Sequence, residues 1–81
     1  MAEITYDQAY KKVHDILSGQ YSSQPIHPGT SLDELGVDEL ALTEVAGKLG
    51  EAFGVDIEVS PESIRTVEDL ARAVANAPAN A

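Results

Sequence analysis

The residue types that could support chemistry gather around Asp38 and Glu39, two adjacent carboxylates, with the hydroxyl of Thr43 four residues further on. A pair of carboxylates can act as a general acid and a general base. However, adjacent carboxylates at the start of a helix point in different directions, and nothing in the sequence supplies a pocket between them. The chain also lacks a Ser/His/Asp set and a glycine-rich phosphate loop. We therefore do not expect an enzyme.

Two groups of acidic residues invite comparison with a cation site. The acids at positions 33–34 and 38–39 lack the spacing of a calcium loop. Over residues 56–62, oxygen-bearing side chains alternate as they do in a calcium loop. However, Pro61 takes the position at which a calcium loop requires glycine. His14 and His27 are isolated in the sequence, as expected for histidines on a solvated face or loop. No metal site is predicted.

The distribution of charge is more informative than its total. Eleven acidic residues between Asp33 and Asp69 are opposed only by Lys48 and Arg65, so this segment carries the entire net charge of −9. Such a field repels nucleic acids and anionic membranes and attracts proteins with basic docking patches. We expect neither nucleic acid nor a membrane as a partner.

The composition also bears on the cellular compartment. The chain contains no cysteine, so no disulfide or thiolate zinc site can stabilise it. Residues 1–17 lack the unbroken apolar run of a signal peptide. No segment approaches the roughly 20 apolar residues that span a bilayer. The expectation is a soluble, cytoplasmic protein.

Three helices are indicated by capping residues and apolar periodicity. Thr5 and Gln8 have capping-box spacing at the start of the first helix, and Gly19 is predicted to cap its end. The second main helix begins after Asp38 as N-cap and ends at Gly54. The last begins at residue 66. Their apolar stripes comprise Tyr6, Ala9, Tyr10, Val13, Ile16 and Leu17; Leu42, Val45, Ala46, Leu49 and Phe53; and Val67, Leu70, Ala71 and Val74.

The connections complete the predicted fold. A long loop over residues 18–37 is expected to be anchored by Ile26, Leu32 and Leu35, with one short helical turn between residues 31 and 35. A second short turn is predicted to open at Ser60–Pro61 and to run through residue 64. The fold class is therefore all-α: a small four-helix bundle of three main helices and one short helix. Residues 1–76 are predicted to form one domain, and residues 77–81 a flexible tail.

One segment carries a family resemblance. Residues 30–45 read ThrSerLeuAspGluLeuGlyValAspGluLeuAlaLeuThrGluVal. This resembles the signature of acyl carrier proteins, which is leucine, glycine, any residue, aspartate, serine and leucine, then three residues and an acidic–aliphatic pair. The similarity extends over roughly residues 4–75 and keeps the family spacing. The matching positions within the signature are Leu35, Gly36, Asp38, Leu40, Glu44 and Val45.

The resemblance implies a four-helix carrier fold whose second main helix presents a serine at its start. In the family, that serine receives 4′-phosphopantetheine, whose thiol holds acyl groups. Here Glu39 occupies the position of the serine. A carboxylate has no hydroxyl to attack coenzyme A, so no cofactor is expected on this chain. Thr43 is not expected to substitute, because a threonine hydroxyl inside a helix usually bonds to the backbone.

The resemblance also implies a function and partners. The leading interpretation is a carrier of fatty acid or polyketide biosynthesis that cannot be primed at residue 39, whether by natural loss or by deliberate replacement. The alternative is a degenerate carrier that acts as a non-covalent scaffold, decoy or regulator. The implied partners are a ketosynthase, an acyltransferase and a phosphopantetheinyl transferase, which would dock a monomer through the second main helix. The predicted docking residues are Asp38, Leu40, Thr43, Glu44, Gly47 and Glu51.

Overall fold

Four helices account for the secondary structure of a computed structural model of the chain, which describes residues 4–21, 25–60 and 62–77. They are α1 (Tyr6–Gln20), α2 (Leu32–Leu35), α3 (Glu39–Phe53) and α4 (Val67–Asn76). No strand occurs within these ranges. The all-α, four-helix prediction is therefore confirmed, and α3 is the predicted second main helix.

The helix starts follow the sequence closely. Thr5 and Gln8 form a capping box at α1, and Thr66 and Asp69 form another at α4. Asp38 caps α3, and Gly54 ends it in the left-handed conformation. Each cap satisfies a backbone N–H or C=O group that has no partner inside the helix.

The helices bury their apolar stripes against one another. Helix α1 packs mainly against α4 and makes fewer contacts with α3. The predicted loop anchors are buried in the same cluster, which ties the long loop to the helices. The cluster consists of Ala9, Val13, Leu17, Ile26, Leu32, Leu35, Val37, Leu42, Val45, Leu49, Ile64, Val67, Leu70, Ala71 and Val74.

Two local predictions need correction or restriction. Gly19 does not cap α1, because the helix continues to Gln20 and the N–H of Tyr21 donates to the carbonyl oxygen of Leu17. The turn predicted to follow Ser60 is confirmed, since the N–H groups of residues 63 and 64 both donate to the Ser60 carbonyl oxygen. The helical turn predicted between residues 31 and 35 is also confirmed: it is α2, the short helix of the fold. The predictions for Pro61 and for tail residues 78–81 lie outside the described residues.

Candidate functional site

The approach to α3 is shaped by the end of α2. Gly36 has a φ of 88°, a left-handed conformation that a residue with a Cβ adopts only at a cost. Its N–H donates to the carbonyl oxygens of Leu32 and Asp33, and the N–H of Val37 donates to the Leu32 carbonyl at 2.9 Å. These bonds close α2 and turn the chain sharply. The buried Val37 side chain then fixes where α3 begins.

Residues 38 and 39 form the N-terminus of α3. The Asp38 carboxylate accepts a hydrogen bond from the N–H of Ala41 at 2.8 Å, which is the geometry of an N-cap. Glu39 is the first residue of the helix, and its side chain is exposed. No hydrogen bond or ion pair to another described residue holds its carboxylate. Glu39 is therefore presented to solvent at the positive end of the helix dipole.

A second segment of chain supports this N-terminus. The N–H of Leu32 donates to the Arg65 carbonyl oxygen at 2.8 Å, and the N–H of Val67 donates to the Thr30 carbonyl at 3.1 Å. The Asp69 carboxylate accepts the N–H groups of Arg65 and Thr66 at 3.1 and 3.2 Å. The hydrogen bond from the Arg65 backbone, more than any other interaction, lowers the pKa of Asp69 from its ordinary value. Asp69 thereby stiffens the segment against which α2 rests.

A half-open groove of about 350 Å³ lies directly beside Glu39. Its apolar wall includes Val37, Leu42 and Ile64, whereas Glu39 and Arg65 contribute charge. Within the described part of the chain, no three acidic or histidine side chains are arranged to hold a metal ion. Asp33, Asp38 and Glu39 all line this groove.

The resemblance to acyl carrier proteins implies that the hydroxyl which receives 4′-phosphopantetheine would stand at the start of this helix. Glu39 offers a carboxylate there. The nearest hydroxyl along α3, that of Thr43, donates to the backbone carbonyl oxygen of Glu39 at 3.0 Å, as expected from the sequence. The residues present at the start of α3 therefore do not fit the covalent group.

The six predicted docking residues are all exposed, either on α3 or at its N-cap. Leu40 is the most prominent: its side chain is 77% exposed, and it is the only large apolar side chain so exposed among the described residues. A groove of about 340 Å³ runs between α3 and the segment 55–59. Thr43, Gly47 and Glu51 line it from the helix.

In both grooves, the residues that face α3 from the opposite side were not predicted from the sequence. Residues 55–59 wall the groove beside Gly47, and Ile64 and Arg65 complete the groove beside Glu39. These segments carry no periodic pattern that would place them next to α3. The two histidines lie elsewhere: His14 Nδ1 is 3.2 Å from the Ser18 hydroxyl on α1, and His27 is exposed in the long loop.

The described residues contain no helix that is both long and apolar enough to cross a bilayer.

No curated protein matches the chain. The sequence model of the phosphopantetheine attachment site family matches residues 11–74, a range that includes α2, α3 and most of α1 and α4. Because this match covers most of its length, the chain belongs to the phosphopantetheine attachment site family.

Proposed function

We propose that this protein is a carrier-type protein of fatty acid or polyketide biosynthesis in a form that cannot be primed at residue 39. The observation that carries the proposal is the exposed glutamate at the first position of α3, where the acyl carrier signature has serine. Family membership supports the carrier fold, and the side chain of Glu39 argues against the modification.

The argument against priming is chemical. Transfer of phosphopantetheine needs an alcohol that attacks the coenzyme A phosphate and yields a stable phosphodiester. A carboxylate would yield an acyl phosphate, which hydrolyses readily. The negative charge of Glu39 would also face the incoming pyrophosphate and repel it. The hydroxyl of Thr43 is already bonded to the helix backbone and starts a full turn away.

We further propose that the outer face of α3 docks synthase enzymes such as a ketosynthase, an acyltransferase and a phosphopantetheinyl transferase. The exposed Leu40 provides an apolar contact, and Glu44 and Glu51 provide charges for a basic partner. Lys48 interrupts the acidic face. This interruption favours a carrier tuned to particular partners over a general one.

The test is the mass of the intact chain after incubation with coenzyme A and a promiscuous phosphopantetheinyl transferase. The mass of the chain with Glu39 should not change, whereas the Glu39→Ser variant should gain about 340 Da, the mass of the family's cofactor. A mass gain by the chain with Glu39 would contradict the proposal. The Glu39→Ser/Thr43→Val variant is the control, and it should be modified as readily as Glu39→Ser.

A second candidate is a degenerate carrier that acts as a non-covalent scaffold, decoy or regulator. The observation that favours it is an exposed apolar and acidic face on α3 next to a residue that cannot be primed. The same experiment separates the two candidates. A folded Glu39→Ser variant that no transferase modifies would favour the scaffold over the blocked carrier.

A further inference from the structure

Two glycines of α3, Gly47 and Gly50, occupy different environments in the groove beside the segment 55–59. A Cβ on Gly50 would lie 2.8 Å from the Val55 carbonyl oxygen, which is closer than such atoms can approach. The N–H of Val55 also donates to the Gly50 carbonyl oxygen at 3.0 Å. Packing of the 55–59 segment against α3 therefore requires a glycine at position 50.

Packing gives no such reason for Gly47. A Cβ there would meet nothing within 4 Å, and the residue is exposed. Glycine inside a helix lowers stability relative to alanine, because it loses more conformational freedom on folding. Because Gly47 has no side chain, it leaves a gap in the wall of the groove of about 340 Å³. We call this gap at Gly47 the notch. The opposite wall includes the partly buried side chains of Ile57 and Val59.

Charge and shape around the notch indicate what would fill it. Glu51 and Asp56 both line the groove and are exposed, and the exposed Glu44 lies on the same helix. Leu40 precedes Gly47 by two helical turns, so both lie on one face of α3. A second copy of this acidic face would be repelled, whereas a basic segment would be attracted.

We propose that the notch at Gly47 receives one bulky apolar side chain from a basic amphipathic segment of a partner protein. This inference rests on the docking role of α3 under the proposed function and adds the apolar side chain that the basic partner would present to Gly47. Gly47 is then a specificity-determining residue: it admits partners that present an apolar side chain between basic ones. A side chain at position 47 would exclude them.

The test uses the full ¹⁵N-labelled chain and two capped helical peptides that carry arginines around a central Phe or, in the matched peptide, a central Ala. We expect the Phe peptide to shift the amide resonances of Gly47, Gly50 and Ile57 and to bind on the order of tenfold more tightly than the Ala peptide. The Gly47→Leu variant should abolish this difference. Gly19→Leu should retain it, because Gly19 is also an exposed helical glycine with nothing within 4 Å of its Cβ position.

Equal affinities of the two peptides, or an unchanged preference for the Phe peptide in Gly47→Leu, would overturn the proposal. So would shifts that depend on protein concentration, which indicate self-association. Octanoyl-pantetheine is a further probe, and shifts at the groove with this compound but not with the Phe peptide would also overturn the proposal. Circular dichroism checks that both leucine variants fold, which is expected because leucine favours helix over glycine. Failure of Glu39→Ser to be primed would count against the carrier role alone. If the Glu39→Ser variant is primed but the chain binds the Phe and Ala peptides equally well, the result would count against the proposal for the notch and not against the carrier role.

Discussion

Ser31 and Thr66 cap different helices and pair with each other in an isolated antiparallel bridge. The Ser31 hydroxyl accepts from the N–H of Asp33 at the start of α2, and the Thr66 hydroxyl accepts from the N–H of Asp69 at the start of α4. The start of α4 thereby holds α2, and the turn at Gly36 carries this constraint to the N-terminus of α3. The position of Glu39 thus depends on residues nearly thirty positions away.

Replacing Glu39 by serine should change the free energy of unfolding by less than about 1 kcal/mol in either direction. The variant loses a favourable charge at the helix N-terminus but also loses repulsion from Asp38, and these effects oppose each other. Chemical denaturation of both proteins in one buffer measures the difference. A larger loss would mean that the Glu39 carboxylate has a specific partner, such as a bound cation.

The two glycines of α3 should respond oppositely to alanine. Gly47→Ala should stabilise the protein by about 1 kcal/mol, because alanine favours the helix and its Cβ meets open space. Gly50→Ala should destabilise it by about 1 kcal/mol or more, because the added Cβ forces the Val55 carbonyl oxygen to move. Urea denaturation measures both changes, with the exposed Gly19→Ala as control. Stabilisation by Gly50→Ala would show that the segment at Val55 is not held against α3.

Asp69 should contribute to a pH-dependent part of the stability. Its pKa in the folded protein is lowered from the ordinary value of 3.8, mainly by the hydrogen bond from the Arg65 backbone N–H. The unfolded chain therefore takes up this proton at higher pH than the folded chain. The stabilising contribution is complete above the unfolded pKa, decreases as the pH falls below about 4, and is lost below the folded pKa.

The comparison with Asp69→Asn isolates this effect, because asparagine retains a neutral oxygen acceptor for the same backbone groups. The difference in the free energy of unfolding between the chain with Asp69 and the Asp69→Asn variant should narrow as the pH falls below about 4. Urea denaturation across an acid pH series measures it. A difference that stays constant through this range would show that the charge of the Asp69 carboxylate is not what stabilises the capping box.

Added salt should stabilise the protein. The eleven acidic residues between Asp33 and Asp69 repel one another in the compact state, and raising the ionic strength from about 0.1 M to 1 M shortens the screening length from about 10 Å to about 3 Å. The midpoint of thermal unfolding should therefore rise with NaCl. Glu58→Gln should reduce this response more than Asp15→Asn, because only Glu58 belongs to the acidic segment. A midpoint independent of salt would contradict the expectation.

Much of the fold could be predicted from the sequence because its signals are local. The capping pairs Thr5–Gln8 and Thr66–Asp69 act over three residues, and the apolar stripes repeat within each helix. The same local rule placed Asp38 at the start of α3 and the Thr43 hydroxyl against the helix backbone. The predicted end of α1 was wrong, because a glycine is a signal for a helix end that the rest of the helix can override. Gly19 is a typical helix end, yet α1 continues to Gln20.

The sequence by itself determined the all-α class, the helix starts, the acidic charge and the carboxylate at residue 39. Only the tertiary structure decided the pairing of Ser31 with Thr66, the approach of Val55 to Gly50, and the two grooves that flank α3. The physical reason is that helix periodicity and capping depend on neighbours within one or two turns. Contacts between α3 and the irregular segments 55–59 and 64–65 join residues without a shared period, so their positions follow only from packing of the whole core.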